Sequence, residues 1–272
     1  MRDLQAIIQL HTFITTTKTY QTDWYNLTAK ESIMKVIKKS PITSTLSVLA
    51  LSLASSSTMA QDLSITVTNL TQGLYFTPVI TAAHTSENHI FMSGTMASDE
   101  LQAMAEGGSI SGLSSILTNA DANINENPAA GLLAPAMSAS FDLTNDGTNT
   151  HLSLAAMVLP SNDGFVGLDS WKIPEEAGTY TLFLNAYDAG TEANDELRGS
   201  GAPGEAGMPV PPPLDPLLGM NGTGVTDVES NDKVHIHRGS LGDSDMAAGI
   251  SDINNSVQRW LNPVAKLTIT VK

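Results

Sequence analysis

Two short runs near opposite ends of this 272-residue chain constrain its fold more than any other feature. In residues 62–69, DLSITVTN, Leu63, Ile65 and Val67 alternate with polar residues, and the same period of two recurs in residues 264–271, VAKLTITV. Strict alternation puts the apolar side chains on one face of an extended strand, with the other face left to solvent. The first run needs a partner, and the last run is the natural one, so that pairing them closes the fold and sets its ends side by side. The expectation is an all-β fold, an antiparallel β-sandwich with short helices and long loops.

The runs 136–143, 151–159 and 179–186 read as further strands. The polar loop between the first two carries Asp146-Gly147, a hairpin signal that pairs them. Pro78 bends the apolar run 74–80 or leaves it at an edge. Ser98 is the expected N-cap of a short helix that Gly107 and Gly108 stop. A second helix is expected around Ile110 to Leu117, followed by a loop to Pro135, and a third over Ser251 to Trp260 with Val257 and Trp260 inward. Residues 199–224 form a Pro/Gly-rich excursion longer than an ordinary connection, in which Val210 to Pro213 favours polyproline II.

At the amino-terminal end, residues 34–39 (MKVIKK) are basic and Ile42 to Ala54 is apolar, but shorter than the roughly 20 residues of a membrane span. Thr58-Met59-Ala60 offers small residues for cleavage. The segment 34–60 therefore reads as a secretory signal peptide cut after Ala60, with 1–33 an upstream extension from a mis-assigned start and 61–272 the folded domain. The product is expected to be secreted or periplasmic, with no membrane span. Its lack of cysteine excludes disulfides and thiol chemistry. Residues 1–60 hold six of the 13 Lys/Arg and three of the 28 Asp/Glu, which leaves seven bases against 25 acids. Such a surface excludes nucleic acid as a partner and makes cation binding one way to reduce self-repulsion.

The acids gather in two turns, each following an apolar run: 160–169, PSNDGFVGLD, and 184–196, LNAYDAGTEANDE. Asp188 and Glu192 lie four apart around Gly190, so a tight turn can aim both carboxylates at one point. Hard oxygen donors of this kind suit Ca²⁺, with about 6–8 oxygens at about 2.3–2.6 Å, better than zinc. Asp142, on a neighbouring strand, is a further carboxylate expected at the same end. His235 and His237 share a face at strand spacing, but no third ligand accompanies them. No GxSxG elbow is present, and with only Trp171 and Trp260 after residue 60 the paired carboxylates lack the aromatic platforms of a sugar-cleaving cleft. The chain reads as non-enzymatic.

The strings PSNDGFVGLDS (160–170) and YDAGTEAND (187–195), with ASDELQAMAEGG (97–108) upstream, resemble the spondin amino-terminal domain family of F-spondin, mindin and secreted bacterial proteins. That family's hallmark strings run close to PSPDWFVG and DAGTDSG, and the resemblance extends over roughly Ser64 to Lys272. It implies a β-sandwich that binds calcium through Asp163, Asp188 and Glu192. Gly164 stands where the family has tryptophan, Glu192 where it has aspartate, and the cysteines of animal members are missing. The combined reading is a secreted, calcium-binding, non-catalytic binding or adhesion module whose partner is an extracellular or cell-surface protein or glycan. An exported calcium-dependent hydrolase and a structural exported protein without ligand are the alternatives.

Overall fold

A computed structural model of the chain describes residues 61–145 and 148–272. The expected upstream extension and signal peptide, and the Asp146-Gly147 turn itself, lie outside the described residues.

The fold opens on β1 (Leu63–Asn69), β2 (Tyr75–Phe76) and β3 (Ile80–His84), followed by the helices α1 (Asp99–Gly107) and α2 (Ser111–Asn119). Strands β4 (Asn123–Glu126), β5 (Ser138–Leu143), β6 (His151–Leu159), β7 (Gly164–Lys172) and β8 (Gly178–Asp188) come next. The last third holds only short pieces, β9 (Arg198–Gly199), β10 (Met208–Pro209) and β11 (His235–Ile236), before β12 (Ala265–Val271).

The two terminal runs pair as their alternation demands. β1 lies antiparallel to β12 along its whole length, with Ile65 opposite Ile269 and Val67 opposite Leu267, and β5 flanks its other side. The main strand order is β4-β3-β6-β7-β8-β12-β1-β5, with every neighbouring pair antiparallel. β8 turns this path into a sandwich. Its residues 178–184 pair with β12, whereas 185–188 pair with β7 and its last two also with β11. One strand thus serves both layers, as strands at sandwich corners do.

The interior between the layers takes Leu63, Ile65, Val67, Leu267 and Ile269 from one side and Leu152, Leu154, Ala156 and Val158 from the other. The second layer is covered outside as well, where Ala155, Met157, Leu159 and Phe165 pack with Leu101 and Met104 of α1 and Leu113 and Leu117 of α2. β6 is therefore buried on both faces, which is why its apolar run does not alternate. α1 begins where the Ser98 side chain accepts the Leu101 N–H at 3.2 Å and ends at Gly108, whose φ of 72° favours glycine.

Four expectations need correction. β5 and β6 form no hairpin: β5 pairs with β1 and β6 with β3 and β7, so the two strands lie in different layers. A turn signal marks where the chain reverses and leaves the choice of neighbour to burial. The stretch after α2 contains β4, paired with β3. Residues 251–260 form turns and no helix, because Asn254 Oδ1 takes the Ser256 N–H and hydroxyl while Gln258 Oε1 takes the Asn254 N–H, local bonds that compete with a helix. Pro211 to Leu217 curls into a turn and a short 3-10 segment in place of polyproline II, with the Leu214 N–H bonded to the Pro211 carbonyl.

Buried carboxylates and one guanidinium hold the irregular last third. Glu196 accepts the N–H groups of Leu241 and Gly242 and the Ser251 hydroxyl at 2.6–2.8 Å, and Asp252 accepts those of Arg198 and Gly222 at 2.9 Å. Arg198 donates to the carbonyls of Asp215, Leu218 and Gly219 and to the Asp215 carboxylate.

Candidate metal centre

The switch of β8 between layers carries its end to the turn that precedes β7. β6 stops at Pro160, and Ser161 closes the turn by donating to the Val158 carbonyl and accepting the Gly164 N–H at 3.0 Å. Gly164 then pairs with Asp188, so Asp163 and Asp188 arrive side by side from adjacent strands, at 0% and 2% exposure. A Cβ on Gly164 would meet the Ser161 Oγ at 2.7 Å and the His237 ring at 3.1 Å, so the tryptophan of the family's hallmark string has no room here.

Asp163 ties the two acidic turns together. Its Oδ2 accepts the N–H of Thr191 at 2.8 Å, the Thr191 hydroxyl at 3.3 Å and the Glu192 N–H at 3.3 Å, while its carbonyl accepts the Ala189 N–H. Its Oδ1 is buried without a hydrogen-bond partner. Asp188 accepts the Gly190 N–H at 2.9 Å and the Asn194 amide at 2.7 Å, and its Oδ1 lies 3.8 Å from His235 Nδ1. Burial, and then the charge of Asp188, push the Asp163 carboxyl up to about 8.

Glu192 follows within the same turn. Its Oε1 accepts the Asn162 amide at 2.7 Å and the Gly207 N–H, and its Oε2 is buried and unpartnered. Burial raises its pKa too. Asn162 is the organiser that sequence reasoning missed: its amide bridges Glu192 and Asp195, and its carbonyl oxygen accepts the Glu196 N–H at 3.0 Å. The available signal was its place beside Asp163 in the first turn.

Asp142 is not brought to this site. It is exposed on β5, bonded to Ser64 and 2.8 Å from Lys272 Nζ, which together lower its pKa. The register runs from Asp142 through Ser64 and Thr270 to Thr179 at the start of β8, nine residues from Asp188. At about 3.3 Å per residue that is on the order of 30 Å. The expectation that Asp142 shares the end of the acidic turns fails because β5 pairs with β1.

His235 and His237 do reach the acidic turns. His237 is buried, packs against Trp260 with ring centroids 4.8 Å apart and ring planes tilted by 43°, and has its pKa lowered by burial to about 4. Its Nδ1 accepts the Gly239 N–H at 3.0 Å, so the neutral ring carries its hydrogen on the unpartnered Nε2. A protonated Nε2 is a donor and offers no lone pair to a metal, which argues against a transition-metal site built on this pair.

Among the described residues, no group of three or more His, Asp or Glu side chains is arranged to hold a metal ion. The donor chemistry nonetheless fits a hard cation: two adjacent buried carboxylates, an orphaned oxygen on Asp163 and another on Glu192. Calcium completes such a set with backbone or amide carbonyls and water.

A family model described as Spondin_N matches residues 66–202, just over half of the chain. The match contains Asp163, Asp188 and Glu192 and stops before His235, His237 and β12. No curated protein sequence matches the chain.

Proposed function

Because the chain belongs to the Spondin_N family, which points to a non-catalytic extracellular module, we propose that it is a calcium-supported binding or adhesion domain. The observation that carries this reading is the Asp163 carboxylate, fully buried beside Asp188 with one oxygen unpartnered. A protein gains nothing from burying two adjacent carboxylates unless a proton or a cation offsets their charge. Asp163 and Asp188 would hold Ca²⁺, with Glu192 completing the set. Bound there, the ion supplies the positive charge these acids lack and fastens the turn before β7 to the turn after β8.

Calcium in this role is structural support for a recognition surface at that end of the sandwich. The partner is an extracellular or cell-surface protein or glycan. Among the described residues no helix is long and apolar enough to cross a membrane. The deciding experiment is calorimetric titration of the chelated chain with Ca²⁺, with thermal melts in calcium and in EDTA. Stoichiometric binding with a marked rise in melting temperature, both lost in Asp188→Asn, is expected. Absence of binding, or an unchanged calcium response in that variant, refutes the assignment.

A further inference from the structure

One corner of the helix-covered layer is held by a buried imidazole. Where the register between β6 and β7 shifts, Ser153 faces two residues of β7, Asp169 and Ser170, and Ser170 carries a φ of +47°, which residues other than glycine rarely adopt. His84, the last residue of β3, meets this bulge, and both His84 and Ser153 are fully buried.

The hydrogen bonds here can run in only one direction. The Thr85 carbonyl can only accept, so His84 Nδ1 carries the ring hydrogen and donates it at 2.8 Å. Nε2 is then an acceptor and takes the Ser153 hydroxyl at 2.7 Å. Ser153 Oγ in turn accepts the Ser170 N–H at 2.8 Å. Each of these groups is satisfied while the ring is neutral.

The same corner fastens residues 85–91 across β7. The Ser170 hydroxyl donates to the Asn88 carbonyl at 3.1 Å, the Asn88 N–H to the Thr85 carbonyl at 3.2 Å, and His89 Nδ1 lies 3.0 Å from Asp169. Phe91 then seats on Gly167, where a Cβ would strike its ring at 2.6 Å, and packs against Phe165 and Tyr187 with centroids 4.9 and 4.8 Å apart.

A second proton on His84 has no place in this arrangement. Nε2 becomes a donor, and Ser153 Oγ can accept from it only by turning its own hydrogen elsewhere while still engaged with Ser170. Burial lowers the His84 pKa for the same reason. Around the ring stand His151 opposite it on β6, Asp169 on β7 with Lys172 beyond His151, and His89 of the loop. His151 and His89 oppose the added charge and Asp169 favours it. The His89 pair with Asp169 gains in acid, but it is partly exposed and therefore weak.

We propose that this corner is an acid-released latch, in which protonation of His84 frees residues 85–91 from the bulge between β6 and β7. The latch goes beyond the calcium reading and does not depend on it. Opening hydrates the ring, so it is unaffected above the ordinary imidazole pKa of 6.5 and increasingly favoured as pH falls below it.

The test is hydrogen exchange of the full chain in EDTA between about pH 7.5 and 5, corrected for the intrinsic rate, with ring-nitrogen NMR of the histidines. Protection of residues 85–91 and of the Ser170 N–H should fall severalfold more than that of β1 and β12, by at most about tenfold per pH unit. The His84 ring should be the Nδ1–H tautomer at the upper pH and take its proton over the range in which protection falls, a readout of the wild-type chain that needs no variant. His84→Gln should abolish the local fall, whereas His89→Gln and His151→Gln should retain it. The proposal is overturned if β1 and β12 lose as much protection as the latch, if the local fall survives in His84→Gln, or if the ring is the Nε2–H tautomer at neutral pH.

Discussion

Replacing Asp163 with asparagine should make the calcium-free protein more stable and abolish its response to calcium. The folded chain holds the Asp163 carboxyl up to about 8, whereas in the unfolded chain it ionises near ~4. A group whose pKa is raised by folding binds its proton more tightly in the native state. The resulting stability is complete below the unfolded pKa and is lost as pH rises through the folded one, a window of about pH 4 to 8. Below pH 6.5 an opposing effect enters. His237, lowered to about 4 by burial, stays neutral in the fold while the unfolded imidazole takes up a proton, so stability falls with falling pH. Between pH 6.5 and 8 the carboxyl dominates, and about 1.5 units at about 1.4 kcal/mol per unit amounts to on the order of 2 kcal/mol. For a domain of roughly 200 residues this is roughly 4–8 °C in melting temperature. Calorimetric melts in EDTA should fall by that amount across the window for the wild type, and much less in calcium, where the cation takes the place of the proton. Asp163→Asn should show no such fall, since its amide keeps an acceptor for the Thr191 N–H and sets a donor beside Asp188. A flat wild-type profile in EDTA, or the same slope in the variant, would refute the reasoning.

Three further outcomes follow from the geometry. Asp142→Ala should leave the calcium isotherm and melting temperature at wild-type values, because that carboxylate sits exposed at the other end of the sheet, and loss of calcium binding would make Asp142 part of the site and refute this assignment. Gly190→Ala should cost at least about 2 kcal/mol and blunt the calcium response, since φ is +70° and a Cβ would meet the backbone of Asn231, Asp232 and Lys233 at 2.7 Å; Gly94→Ala, at φ +85° with nothing within 4 Å, is the milder control in the same denaturant titration. Arg198→Ala should cost about 2–3 kcal/mol through its lost charged hydrogen bonds and open residues 199–218 to limited proteolysis while β-sheet circular dichroism is retained, and resistance equal to wild type would mean that the guanidinium does not pin the excursion.

Local chemistry made some features legible. The alternation at Leu63, Ile65 and Val67 and again at Leu267, Ile269 and Val271 identified the central pair of strands, because a one-faced pattern has only one way to be buried. Ser98 and Gly108 marked the ends of α1 through bonds that involve only their own neighbours. The two acidic turns stood out because each follows an apolar run, and the resemblance of their strings to the spondin family singled out Asp163, Asp188 and Glu192 within them. The same local logic failed at 251–260, where Asn254 and Gln258 satisfied the backbone by another route, and between β5 and β6, where a turn signal was read as a pairing.

By itself the sequence determined the all-β class, the pairing of its first and last strands, the absence of disulfides and the identity of the acids at the two turns. These follow from periods, caps and residue chemistry acting over a few neighbouring positions. Only the tertiary structure decided that β8 bends between layers, which brings Asp163 against Asp188, delivers His237 beside them and leaves Asp142 at the far end. Those relations depend on which strand lies next to which and in what register, and that choice is made by burying the two faces of β6 and one face of β1 together. Burial of this kind is a property of the assembled layers and of no single segment.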